Sequence, residues 1–245
     1  MSLTLVHARY QLLETLRIPI AVIGTTFFPA VSMLFFVVPF AGDDPVSATY
    51  ATASMVTFAV MISNLFQYGV GVSEDRARPW DPYMRTLPVG PGPRLAGRTI
   101  AGLAMMVLSL LPVLLIAALF TTATVSPAGL VAALGALLVV AVPFTLMGMT
   151  IGYALPSKAA LAVTQIIFLP LAFGGGLLSA PGDAPRFVEI VAPFLPTRGA
   201  VELMWTAVGD FRPDPTALVS LGVWTVTLGA LAAWTYRRDE GRRFS

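Results

Sequence analysis

The chain has 245 residues, of which 56% are hydrophobic and only 11% charged, against about a quarter charged in an average soluble domain, so bulk composition excludes a water-soluble fold. A net charge of +2 leaves no electrostatic footprint for nucleic acid, and the absence of cysteine removes disulfides, thiolate metal sites and cysteine nucleophiles. From Thr99 to Ser157 there is no Asp, Glu, Lys, Arg or His; a soluble helix must show one polar face to water, so this run belongs in a bilayer.

Residues 1–17 carry His7, Arg9, Glu14 and Arg17 and lack the apolar core of a cleavable signal peptide, so they are expected to stay on the mature protein. Leu3, Val6, Tyr10, Leu13 and Leu16 recur three or four apart and predict an amphipathic helix on the cytoplasmic membrane surface, the alternative being a frayed polar tail. Cutting the rest at charges and Pro/Gly clusters predicts six spans, at about 18–40, 49–72, 99–121, 128–153, 159–179 and 216–236. The expected fold class is an all-α membrane protein of six transmembrane helices in one domain, residues 1–245, with an interfacial amino-terminal helix and short outer helices before the last span.

The second span carries Ser63, Asn64 and Gln67 beside Phe66 and Tyr68, and the fifth carries Thr164, Gln165 and Phe168. Asn64, Phe66, Gln67, Gln165 and Phe168 either line a mostly apolar substrate path or hold helices together by side-chain hydrogen bonds. Between the second and third spans, residues 73–98 open with Glu74-Asp75-Arg76-Ala77-Arg78. Asp81-Pro82 then supplies an N-cap and a first-turn proline, starting a short helix that ends at Pro88 and Gly90-Pro91-Gly92-Pro93. Trp80, Tyr83, Met84 and Leu87 on that helix either pack on the protein's own helix ends or dock a cytoplasmic partner.

A tight hairpin is predicted at Thr121–Pro127, and Gly148 with Gly152 forms a G-x-x-x-G that permits close helix approach. Pro29, Pro112, Pro143 and Pro170 fall inside spans, where each kinks a helix that either moves or is simply bent. Residues 185–196 and 198–208 predict two short amphipathic helices dipping into the outer leaflet, with Phe187, Ile190, Val191 and Phe194 on one face of the first. With a cytoplasmic amino terminus, twelve of the fifteen basic residues collect on the cytoplasmic side and only Arg186, Arg198 and Arg212 outside, so both termini are expected inside.

Enzyme readings lack their residues. His7 is the only histidine, none of the six predicted spans holds an acid for a protease or a proton relay, and no phosphate-cradling G-x-x-x-x-G-K-[ST] loop exists. No catalytic or metal residue is assigned, and a chain so equipped needs an external energy source if it pumps.

The segment Glu74 to Val89, from its charged start through a short helix to Leu87-Pro88, resembles the cytoplasmic loop of type-2 ABC exporter permeases of the daunorubicin-resistance and polysaccharide-export kind. Gly174-Gly175-Gly176-Leu177-Leu178, Pro185 to Pro196 and Gly199-Ala200-Val201-Glu202 are similar to that family's re-entrant outer segment, while Pro79 and Pro82 interrupt what the family often keeps as a more continuous helix. The resemblance implies a transmembrane export or efflux subunit for a drug, lipid or glycolipid. It implies pairing with a second six-span permease subunit, as homodimer or heterodimer, and with an ABC ATPase that holds the ATP and magnesium, leaving no cofactor in this chain. Glu74, Asp75, Arg76, Trp80, Tyr83, Met84, Arg85 and Leu87 would transmit the ATPase stroke. The alternative is a non-transporting membrane anchor or assembly protein that recruits a partner through residues 73–98.

Overall fold

A computed structural model describes residues 3–17, 19–79, 92–179, 181–182 and 184–242, and these are helical with no strand among them. Helix α1 (Leu3–Leu16) leads to α2 (Pro19–Ser32), which continues through a π-helical turn, Met33–Val37, into α3 (Val38–Ala41). Helix α4 (Pro45–Asn64) passes through a second π segment, Leu65–Val70, into α5 (Gly71–Ala77). Then come α6 (Gly92–Phe120), α7 (Pro127–Ala154), α8 (Ser157–Gly174), the short α9 (Arg186–Val191), α10 (Pro196–Val208) and α11 (Pro215–Arg242).

Five of these runs are long and apolar enough to cross a membrane: Pro45–Ala77, Leu95–Phe120, Pro127–Ala154, Ser157–Gly174 and Pro215–Glu240. The predicted first span appears as a shorter apolar helix, Thr26–Ala41, within the helical run from Pro19. The second span is longer than predicted. It starts at Pro45, capped by Asp44, and runs to Ala77, so the expected loop at 73–98 begins as helix. It re-enters helix at Gly92, before the predicted third span.

The second span is the centre of the bundle. It is 78% buried over its apolar window, against 22–33% for the other four, although it is the least apolar of the five. In lipid there is no hydrophobic drive between helices, so the central helix is the one whose small and hydroxyl side chains allow close packing. Ser54, Thr57, Ala59, Ser63 and Asn64 are all buried there, whereas α6 and α7 turn leucines and valines outward to lipid. Where the second span meets α7, the G-x-x-x-G contact is real. A Cβ on Gly148 would lie 2.9 Å from the Asn64 carbonyl oxygen, and one on Gly152 would lie 2.4 Å from that of Tyr68. The π segment Leu65–Val70 supplies the facing surface, including Gly69, and its wider turn closes with the Gly71 amide donating to the Phe66 carbonyl.

At the loop end near Asp44, two connections are stitched together. The Thr122 amide and hydroxyl both donate to the Gly42 carbonyl at 2.9 Å, and the Thr49 hydroxyl donates to the Thr124 carbonyl at 3.0 Å. Asp44 accepts from the Ser47 amide at 2.8 Å. The amide and hydroxyl of Ser47 hold its carboxyl below the ordinary value, so the cap is present above the usual carboxylate range and is lost only as pH falls through that lowered value.

Both short helices of the outer segment are present, and they differ from each other. Helix α9 turns only Val188 inward and leaves Phe187, Ile190 and Val191 exposed, and Phe194 in the turn that follows it is exposed too. Helix α10 is a core element rather than a shallow one, with Ala200, Val201, Glu202, Met204 and Trp205 buried against α4, α7 and α11. The Trp205 indole donates to the Tyr50 carbonyl (3.1 Å) and the Ser54 hydroxyl (3.0 Å). The Glu202 carboxylate is neutralised by Arg198 one turn earlier and accepts from the Asp214 amide at 2.7 Å.

Candidate functional site

The charged end of the second span is where the chain draws most of its elements together. Asp75 on α5 accepts from Arg98 at the start of α6 (2.5 Å), pairs with Arg78 (3.3 Å), and lies 3.5 Å from the Gln11 amide nitrogen on α1. Arg78 also pairs with Glu14 of α1. Donating a hydrogen bond to Glu14 raises the pKa of the Arg78 guanidinium above its ordinary value.

Arg76 reaches the other way. It donates through Nε (3.0 Å) and Nη2 (2.5 Å) to Asp239 near the end of α11, and through Nη1 to the carbonyls of Gly152 (2.7 Å) and Leu155 (3.2 Å) at the end of α7. Those carbonyls are among the four that a helix end leaves unpaired, so the guanidinium caps α7 as well as holding α11. The Ser157 hydroxyl completes the join by donating to the Ser73 carbonyl at 3.0 Å. Five helices, α1, α5, α6, α7 and α11, are thereby tied at one level through two adjacent residues, Asp75 and Arg76, and Ser73 adds α8.

Of the residues expected to couple to a partner, Glu74 is exposed, while Asp75 and Arg76 are half-buried and paired within the chain. Trp80, Tyr83, Met84, Arg85 and Leu87 lie outside the described residues. Sequence reasoning missed Gln11, Glu14, Arg98 and Asp239. Asp239 stands 163 residues from Arg76 in a run of arginines, and the available signal was an acid in a stretch otherwise counted only for its positive charge.

Of the residues expected on a path, the structure brings two together, Phe66 and Phe168, and places Asn64 in a separate contact. Asn64 is buried; its amide donates to the Val60 carbonyl (2.8 Å), and its oxygen accepts from the Thr145 hydroxyl (2.8 Å). The Thr145 bond joins α7 to α4, while the Val60 bond lies within α4 itself. Phe66 and Phe168 pack with ring centroids 6.1 Å apart, and Phe28 adds to Phe168 at 5.5 Å, so the second and fifth predicted spans meet with α2 beside them. Gln67 is half-buried and Gln165 is exposed on the outer surface of α8. Substituting Asn64 by Leu is expected to lower the stability of the isolated chain by about 1 kcal/mol through loss of the Thr145 bond. Gln67→Leu should leave it unchanged; thermal unfolding in detergent, read by size exclusion, separates the two.

A model of the ABC-2 type transporter family matches residues 3–207, from α1 to the end of α10. The chain belongs to that family. YvfS, named as a transport permease, from Bacillus subtilis (strain 168), is 24% identical over 192 residues that make up 76% of each chain. This ABC-2 permease is therefore a multi-pass membrane protein and a transport subunit of an ABC transporter. The matched region contains every member of the charged cluster except Asp239, which α11 brings back to it from beyond residue 207.

Proposed function

We propose that this permease is the transmembrane subunit of an ATP-driven exporter that moves a hydrophobic or amphipathic substrate, such as a drug, lipid or glycolipid, out of the cytoplasm. It works with a second permease subunit and an ATPase that docks on the segment between α5 and α6. The helical run Pro19–Ala41 serves as the first of six spans, both termini are cytoplasmic, and α1 lies in the membrane interface. The last reading is supported by the helix surface: Ala8 faces α6, where Gly97 lets His7 approach, while Leu3, Tyr10, Leu13 and Leu16 are exposed on the opposite side.

The observation that carries the reading is the charged cluster. A force applied to the segment after Ala77 reaches α5 through the chain, then α1 and α6 through Asp75, and α7 and α11 through Arg76. Rigid elements joined by short ion pairs can move as a unit, which an ATP-driven stroke requires. The test is to purify the chain with its ATPase, reconstitute both in vesicles, and measure ATP-dependent substrate movement with stimulated hydrolysis. Co-elution without either activity would favour the anchor reading instead.

Topology has its own check. Because basic residues crowd one side, reporters fused at Asp44, at Thr124 and within 183–212 are expected to read outside, and those at Gly92 and the carboxyl terminus inside. A cytoplasmic signal from 183–212 would overturn the six-span arrangement.

A further inference from the structure

The lipid-facing side of α11 can be followed residue by residue. Val219, Val223, Val226 and Trp234 are all exposed and recur at helical spacing, so they form one stripe, and Arg238 continues it one turn beyond Trp234. From Val219 to Arg238 is about 28 Å of helix at 1.5 Å per residue, close to the roughly 30 Å of a hydrocarbon core. Arg238 therefore stands where α11 leaves the acyl chains, at the depth of lipid phosphates. Trp234, one turn earlier, is at the level that interfacial tryptophans take.

Beside Arg238, between the ends of α7 and α11, is a small polar cavity of about 70 Å³, far below the ~300–1,000 Å³ of a drug-sized site. Arg76, Tyr153, Trp234, Arg238 and Asp239 are on its walls. Its charges do not balance. Asp239 is matched by Arg76, whereas the exposed Arg238 guanidinium lies over the Trp234 ring, 5.1 Å from its centroid, and pairs with no carboxylate among the described residues. The ring holds the guanidinium by its face, which leaves the N–H donors around its edge free for an acceptor.

We propose that this corner binds the phosphate of one anionic phospholipid, such as phosphatidylglycerol, from the leaflet at the Arg76 end of the bundle, with Arg238 donating to the phosphate oxygens. Two guanidinium groups against one carboxylate leave a single positive charge on the walls, which a headgroup of one negative charge complements. A choline headgroup would instead bring its own ammonium against Arg238. The site goes beyond the export reading, since it needs neither the ATPase nor a second subunit.

The test is native mass spectrometry of the purified full chain, in detergent holding equal amounts of phosphatidylglycerol and phosphatidylcholine with the same acyl chains. One phosphatidylglycerol is expected to stay bound in preference to phosphatidylcholine, and Arg238→Gln should cut that preference about fivefold, the order expected for one Arg at an anionic surface. Arg212→Gln removes the same charge just before α11, at its other end, and should leave the preference unchanged. Equal loss in the two variants, or no preference in the native chain, refutes the site. If added inorganic phosphate displaces the bound phosphatidylglycerol, the corner takes a free anion and the lipid assignment fails. Should Arg238→Gln not fold, Ala154→Leu, which narrows the cavity from α7, decides: a lost preference supports the site and an unchanged one overturns it.

Discussion

Asp75→Ala is expected to destabilise the folded bundle by about 3–5 kcal/mol, the cost of removing one partner from a largely buried ion pair. Arg98 is 7% exposed, and without Asp75 its guanidinium would face Arg78 with no carboxylate between them. Replacing the pair together, Asp75→Leu with Arg98→Met, should recover most of that loss, because a well-packed apolar pair of similar volume needs no desolvation. Denaturant or thermal unfolding in detergent reads both. If the single and double variants lose the same stability, the ion pair is not what holds α5 to α6.

The second large effect concerns function. If an ATPase docks on the segment between α5 and α6 as proposed, substituting Tyr83 and Leu87 together by Asp should abolish substrate-stimulated ATP hydrolysis by the assembled transporter, since two new charges would have to be desolvated at that contact. The expected cost in association is several kcal/mol, on the order of that for truncating a major interface anchor. Insertion and topology should be unaffected, as both positions lie between the second and third predicted spans. Normal stimulated hydrolysis in the double variant would show that the segment is a connector and would overturn the proposed coupling through Asp75 and Arg76.

What the sequence disclosed is what a bilayer demands of it. The uncharged runs and the hairpin at Thr121–Pro127 follow from local chemistry and are present in the structure, although the helices start earlier than predicted, at Pro45 behind Asp44 and at Pro127 behind Ser126. The apolar stripe on α1 was equally readable, but it is the face turned away from the protein; the face that packs is built around Ala8, which carries no hydrophobic signal. Which span is central was not readable from apolarity, because the most buried span is the least apolar. The glycine pair at Gly148 and Gly152 gave a weak signal because its partner is a π segment, whose Gly69 matters only by position in space. Arg76 read as part of a docking patch, since nothing near it in sequence announces Asp239 or the open carbonyls of Gly152 and Leu155.

The burial of the second span also bears on how the protein is made. The chain emerges from its amino end, so the span richest in Ser, Thr and Asn enters the bilayer before α6, α7 and α10, which will enclose it, have been synthesised. Until α6 and α7 arrive, Thr57, Ser63 and Asn64 have only their own helix, α2 and lipid for company, and the insertion energy of that segment is at its least favourable. The later, more apolar helices thus act as its built-in chaperones. Gly148 and Gly152 can settle against the π segment only after α7 is made, and the Trp205 bonds to Tyr50 and Ser54 can form only after α10 follows.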